Sequence, residues 1–212
     1  MVIVMGFATY KKAAAARGTL RRAPVALRDQ IRDTARELFA REGYESVSMR
    51  RIGAEVGCSP MAIYRHYENK EELLLSICEE TFSRMIRLVD ETSARPGTPL
   101  EKLRRCMRTI VEFHLSHPNH YKVTFMTEMP PGPVAERKVA IAQHAMDRLR
   151  TAVQDCAAAK GVKVDVEMIA QIMRVAIHGL AGTLITTSKC YPWKDPERMK
   201  DEVIATVTRQ FE

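Results

Sequence analysis

Residues 57 to 70 read Gly-Cys-Ser-Pro-Met-Ala-Ile-Tyr-Arg-His-Tyr-Glu-Asn-Lys, a concentration of hydroxyls, cations and methyl-bearing side chains suited to meeting a nucleic acid. The guanidinium of Arg65, and that of Arg50 shortly before it, can read a guanine bidentately, while Met61 or Ala62 can sit against a thymine methyl. Ser48, at a helix start, offers a hydroxyl and amides to one phosphate, and Lys70 offers a cation to another. Tyr64, His66 and Thr34 can add backbone contacts. Ser59 and Pro60 have a structural task as well, since Ser caps the first amides of a helix and Pro loses nothing at the first helical position. Ile52, Val56, Ile63 and Tyr67 are assigned to the core, and Arg51 to a solvated charge.

Short helices must position these groups. Asn69 with Glu72 three residues on is a second capping pattern, so the helix opened at Pro60 runs only about two turns. Before it, Leu27, Ile31, Ala35, Leu38 and Phe39 recur at helical spacing up to Gly43, and Ser48 precedes a short helix, Met49 to Val56, closed by Gly57. Two short helices joined by a small-residue turn have the spacing of a helix-turn-helix, which lays its second helix in a DNA major groove.

Charge agrees with this placement. Residues 1 to 70 carry 13 Lys and Arg against 7 Asp and Glu, whereas residues 71 to 212 carry 20 against 19. A basic module joined to a neutral one points to a polyanionic partner for the first alone. The first 28 residues hold six Lys or Arg and no acid; residues 1–24 read as a mobile basic arm able to reach an adjacent minor groove.

The stretch VSMRRIGAEVGCSPMAIYRHYENKEELL, preceded by ARELFAREGYE, strongly resembles the N-terminal domain of the TetR family of transcriptional regulators. The match rests on Phe39, Gly43-Tyr44, Ser48, Ile52-Gly53, Gly57, Ile63-Tyr64, His66-Tyr67 and Lys70 with Leu73. Gly53 stands where the family more often has Ala, and Tyr67 where it usually has Phe. The resemblance implies a DNA-binding domain over residues 25–72, a regulatory and dimerisation domain over residues 73–212, and a helix over 69–93 linking them.

Beyond residue 69 the pattern stays helical. A long helix runs to about Ser93, and Thr98-Pro-Leu-Glu101 combines a capping box with Pro at the first position. That fifth helix ends at His117-Pro118. Shorter and longer segments follow over Asn119 to Glu128, Val134 to Ala159 and Asp165 to Thr187, and Asp195-Pro196 opens a last helix. The fold class is all-α, with about nine helices: a three-helix N-terminal unit and a C-terminal bundle. No apolar run reaches the roughly 18 to 20 residues of a membrane span, because Gln, Arg, His and Gly interrupt the stretch Ile169 to Ile185. The chain reads as soluble, without a membrane partner. Five widely spaced cysteines without a CxxC suit a reducing cytoplasm and suggest no disulfide or zinc site.

The resemblance also implies a homodimer built on the last two long helices, with Gly179, Leu180 and Gly182 allowing close approach and Val203, Val207 and Phe211 completing a four-helix interface. It implies a small-molecule pocket too, whose occupancy changes the spacing of two DNA-binding domains. Met85, Ile86, Met107, Ile110, His114, Phe125, Met126, Met129, His144, Met173 and Ile177 are the candidate lining, the methionines suiting an adaptable apolar site. His114, His117 and His120 lack accompanying carboxylates at ligand spacing, so no metal or other cofactor is expected, and Cys58 lacks a resolving partner for a redox switch. The expected partners are double-stranded DNA, a second copy and a small effector. An enzyme is disfavoured by the lack of a Gly-rich phosphate loop, Gly-x-Ser-x-Gly, HExxH or paired Glu-x-x-His motifs; a helical adaptor for other proteins is the third class.

Overall fold

The structure, a computed structural model, describes residues 26–187 and 190–212, so the basic arm expected over residues 1–24 lies outside the described residues. Among the described residues nine α-helices follow one another: α1 Leu27–Glu42, α2 Met49–Val56, α3 Pro60–Tyr64, α4 Lys70–Ser93, α5 Pro99–Ser116, α6 Pro118–Phe125, α7 Pro133–Lys160, α8 Val166–Thr187 and α9 Pro196–Thr208, closed by a 3-10 turn, Arg209–Phe211. Among the described residues there is no strand.

Side-chain caps set most of the starts. Ser48 accepts the Arg51 amide, Ser59 that of Ala62 and Asn69 that of Glu72, while Thr98 and Glu101 complete a reciprocal box and Asp195 takes the Arg198 amide. Pro occupies the first turn of α3, α5, α6, α7 and α9, where its missing N–H leaves no intrahelical bond unmade. α6 stops at Phe125, short of the Glu128 expected from sequence, and α3 has only five residues.

Two principal cores result. Ile31, Ala35, Leu38 and Phe39 of α1 enclose Ile52, Ile63 and Tyr67 together with Leu73, Leu74 and Ile77 from the first two turns of α4. Val123 of α6 belongs to the same cluster. Gly53 lets α2 approach α3: a Cβ there would stand 3.0 Å from the Cys58 carbonyl oxygen and 3.1 Å from Ile63 Cδ1. Gly57 ends α2 at φ 78°, a left-handed conformation costly for any residue with a Cβ.

The second core gathers Leu103, Met107 and Val111 of α5, Leu149 and Val153 of α7, Met173, Ile177 and Leu180 of α8, Ile204 of α9 and Phe211. Burying each such side chain contributes about 1.5–3 kcal/mol, so each of the two cores is a substantial store of apolar stabilisation. Lys200 is buried here as well, its Nζ donating to Glu112 at 2.6 Å and Glu197 at 2.7 Å, so the desolvated charge is fully paired.

α8 corrects one expectation. By length and composition this 22-residue helix is apolar enough to cross a membrane. Its Ile, Leu, Val and Met content outweighs the interrupting Gln171, Arg174 and His178. Its inner face nevertheless packs on α5, α7 and α9, and only the outer face carries exposed apolar side chains.

Candidate nucleic-acid interface and effector cavity

The candidate DNA-contacting groups lie on the outside of the first core. Ser48, Arg50, Ser59, Pro60, Met61, Tyr64, Arg65 and His66 are exposed, Ala62 and Lys70 half-buried. Met61 at 67 % and Tyr64 at 51 % exposure are large apolar groups left uncovered on a helix of five residues, an expensive choice for packing and a suitable one for groove contact. The serine hydroxyls accept backbone amides, which leaves each O–H able to donate to a phosphate oxygen.

The arginines divide by pairing. Arg51 is held by Glu55 at 2.6 Å and Glu42 at 3.6 Å, so it is an ion-paired residue and not merely a solvated one. Among the described residues no carboxylate lies within ion-pair distance of Arg50 or Arg65, whose guanidinium forks remain unpaired. Lys70 has a task that the sequence did not disclose. Its Nζ donates to the carbonyl oxygens of Tyr44 at 3.0 Å and Glu45 at 3.5 Å and sits 4.2 Å from the Tyr44 ring centroid. It ties the turn before α2 to the start of α4, with one proton left for a phosphate. Tyr67 does similar work, donating its hydroxyl to the Arg28 carbonyl at 3.1 Å beneath the Arg28 guanidinium.

A small, partly open cavity of about 50 Å³ lies among α4, α5, α6, α7 and α8. Phe82 and Met85 of α4, Ile110 and His114 of α5 and Phe125 of α6 form one side, and Ala142, Ala145, Met146 and Leu149 of α7 with Arg174, Ile177 and His178 of α8 the other. It holds a few water molecules at most. Five candidates from sequence, Met85, Ile110, His114, Phe125 and Ile177, are thus together. Met107 and Met173 are fully buried in the second core, behind the wall. Ile86 packs beside Phe82, Met126 is exposed near the α1–α2 turn, and Met129 packs on the first core. His144 faces outward against Arg148 and Asp147. A roomier groove, lined in part by Asp90, Lys102, Asp147, Arg148 and Asp155, is open to solvent.

His114 is the polar centre of the cavity. It is 1 % exposed and its Nδ1 has no hydrogen-bond partner, while its ring contacts Tyr121, Phe125 and His178 at centroid distances of 5.0, 5.0 and 5.7 Å. Burial, reinforced by His178 and His117, lowers its pKa to about 3. Burial and the nearby Arg174 charge lower that of His178 to about 4. Both imidazoles are therefore neutral near pH 7.

His120 belongs elsewhere. On α6 it meets Thr81 Oγ1 through Nδ1 at 2.9 Å and Arg84 through Nε2 at 3.3 Å, and Thr124 donates to the same Thr81 oxygen at 3.0 Å. Arg84 can only donate, so Nε2 accepts and the proton sits on Nδ1; Thr81 then gives its own hydrogen to the Ile77 carbonyl. His114 and His120 thus sit in different surroundings, His117 lies with its ring 5.6 Å from that of His120 and 4.7 Å from that of Phe113, and among the described residues no group of three His, Cys, Asp or Glu is placed to hold a metal.

The proposed dimer face is redistributed by the fold. Phe211 and Leu180 are in the chain's own core, and Gly182 turns inward, where a Cβ would stand 3.1 Å from the Tyr121 hydroxyl. Val203 and Val207 are half-buried against the same core. The uncovered apolar stripe is Met168, Ile172 and Val175, continued by the exposed Gly179. These residues recur every three or four positions along one face of α8, and sequence alone could not decide which face of an all-round apolar helix stays outside.

Comparison with known proteins decides the family. The model for bacterial regulatory proteins of the tetR family matches residues 31–77, and that for tetracyclin repressor-like C-terminal domains matches residues 103–207. The chain belongs to the TetR family. The HTH-type transcriptional regulator AcrR of Shigella flexneri is 28 % identical over 182 residues, 81 % of this chain and 84 % of that protein. Two solved TetR-like folds superpose well. FadR from Bacillus subtilis in complex with stearoyl-CoA has a TM-score of 0.75 at 20 % identity, covering 85 % of this chain and 97 % of that one. AibR in complex with isovaleryl coenzyme A and operator DNA has 0.69 at 22 % identity, with coverage of 85 % and 97 %. The protein is accordingly a TetR-family transcriptional regulator, and the cavity residues missed from sequence are Phe82 of α4 and, on α7 and α8, Ala142, Ala145, Met146, Leu149, Arg174 and His178. Small alanines give no signal of a ligand wall, but the i, i+4 pair Arg174 and His178 on an apolar helix was a visible one.

Proposed function

We propose that this TetR-family protein is a ligand-responsive repressor that binds a palindromic operator as a homodimer in the cytoplasm and is released when a small apolar or amphipathic effector opens the cavity. It is a regulator and not an enzyme. Residues 25–72 form the DNA-binding domain and residues 73–212 the regulatory and dimerisation domain. Ser48, Ser59 and Lys70 hold phosphates, Arg50 and Arg65 read base edges, and Met61, Ala62, Tyr64 and His66 fill the groove between them. The exposed stripe Met168, Ile172, Val175 and Gly179 pairs with its symmetry mate beside α9, since an apolar face of that length is rarely left to water.

The observation that carries this reading is the construction of α4. Its Leu73, Leu74 and Ile77 are core of the DNA-binding unit, and Phe82 and Met85, further along the same helix, are wall of the cavity. α6 repeats the arrangement with Val123 and Phe125. The ring contact of Phe82 with Phe125, 5.5 Å between centroids, is the seam between the two helices on the cavity side. The Thr81 to Thr124 hydrogen bond is the same seam one residue back in both helices. An effector that separates Phe82 from Phe125 must disturb Thr81, Thr124 and His120. Arg36 and Arg32 of α1 reach this junction through Glu80, at 3.2 and 3.0 Å. The acyl-coenzyme A molecules named for FadR and AibR support the idea that this fold accepts an amphipathic effector.

Selection from random duplex DNA tests the reading, with salt dependence recorded for wild type, Arg65→Ala and Lys70→Ala. The expected result is a palindrome with half-sites about one helical turn apart, relaxed at one base position by Arg65→Ala and weakened at every site by Lys70→Ala. Unselective or absent binding would overturn it and favour a helical adaptor.

A further inference from the structure

The cavity has an apolar interior, one buried polar atom and a cationic mouth. Phe82, Met85, Phe125 and Ile177 supply the apolar surface. His114 lines this space beside His178, and its Nδ1 is buried without a hydrogen-bond partner, a costly arrangement unless a rearrangement or a ligand completes it. Met146, Arg174 and His178 line the cavity and also a surface groove between α7 and α8, so they form the threshold between the two. Arg148 and Arg150 of α7 are both ion-paired, with Asp90 and with Asp147 and Glu167 respectively. Arg174 is exposed, and among the described residues no carboxylate lies within ion-pair distance of it.

We infer that the effector is an amphipathic acyl anion: its hydrocarbon chain enters between Phe82, Met85, Phe125 and Ile177, its carbonyl oxygen meets His114, and its negative head stays at the threshold against Arg174. This deepens the effector-release reading above and rests on it. A neutral imidazole donates one hydrogen bond and carries no charge into the apolar interior, which suits a carbonyl. A guanidinium at a half-exposed mouth pairs with a carboxylate or a phosphate. An organic cation is excluded by Arg174, and a pure hydrocarbon would leave His114 unpaired.

Calorimetric titration and thermal shift of the full-length protein with octanoate, octanoyl-coenzyme A, 1-octanol and octylamine test this. At least one of the two anions is expected to bind about tenfold more tightly than octanol, with octylamine weakest. Octanoate binding places a free carboxylate at Arg174, and binding of the thioester alone places coenzyme A phosphates there. Arg174→Gln, a surface change that leaves the core intact, should bring anion and alcohol to within about twofold of each other. His114→Phe, similar in volume, should weaken anion and alcohol together. Octanol binding as tightly as both anions, or an anion preference unchanged in Arg174→Gln, overturns the inference. Release from the selected operator is measured in parallel, so the two readings fail separately: specific operator binding that no anion disturbs defeats this inference alone, whereas anion binding without any operator preference defeats the regulator reading.

Discussion

Acidification should unfold this protein through its neutral histidines, and His120 gives the clearest case. Its Nε2 accepts from Arg84 and its Nδ1 already carries the ring's one proton, so a second proton would have to enter between imidazole and guanidinium. Burial first, then the Arg36 and Arg84 charges, lower its pKa to about 3, against about 6.5 in the unfolded chain. The sign follows from proton counting. Above pH 6.5 neither state binds the proton and His120 is neutral to stability; below it the unfolded chain takes one up while the folded chain does not, until pH approaches 3. Stability is therefore present above pH 6.5 and lost as pH falls through this window, at a limiting slope of about 1.4 kcal/mol per pH unit for each such histidine. His114, lowered to about 3, and His178, lowered to about 4, add in the same direction. One unit below 6.5 the three together remove about 4 kcal/mol, a large share of a typical 5–15 kcal/mol. Urea unfolding at pH 7.5 and 5.5, with His120→Gln as the comparison, measures it. The wild type should lose about 4 kcal/mol over this interval and the variant about 1.4 kcal/mol less. A pH-independent unfolding free energy, or a variant with an undiminished slope, would refute the tautomer and burial argument.

Other substitutions read separate parts of the fold. Val175→Glu, at a residue 71 % exposed on the α8 stripe, should leave the monomer folded and convert a dimer to a monomer in sedimentation velocity. Lys200→Ala should cost about 2 kcal/mol in chemical denaturation, less than a fully buried pair because Glu112 and Glu197 retain water. Gly57→Ala places a Cβ at φ 78° in otherwise open space, so the cost is backbone strain alone, about 1 kcal/mol in thermal unfolding.

Local chemistry explains what was legible in the sequence. Ser48, Ser59, Asn69, Thr98 and Asp195 cap the helices that follow them because a short polar side chain satisfies amides only a few residues away. Helix starts, the short α2–α3 unit and the apolar faces of α1 and α4 are local in that sense. The cavity is not. Phe82, Ala145 and His178 come from three helices that are far apart in sequence, and nothing in the immediate surroundings of Ala145 distinguishes a cavity wall from an ordinary helix contact. Met107 and Met173 show the converse: their side chains suit a ligand site, yet the packing angle of α5 on α8 turns them into solid core. The pairing that leaves Arg50 unpaired and Arg51 held by Glu42 and Glu55 likewise depends on how α1 lies beside α2.

The small size of the cavity bears on how any release must work. A space of about 50 Å³ cannot admit an eight-carbon chain, so the proposed effector release requires the cavity to widen, and Phe82 of α4 and Phe125 of α6, in ring contact in its wall, are where it would open. A ligand that bound closed and open forms alike would shift nothing; moving a 99:1 population to 1:99 requires about 5.5 kcal/mol of preference for the open form. An octanoyl chain burying seven methylene and methyl groups can supply about 0.8 kcal/mol for each, which covers that requirement before the head group contributes. The separation of the two rings is opposed by their edge contact and by the Thr81, Thr124 and His120 hydrogen bonds one residue away. Because those bonds lie between the cavity and α1, the energy that holds the cavity shut is also the energy that fixes the DNA-binding unit on α4. Apolar chain length should therefore set the extent of release, and Arg174 the choice of head group.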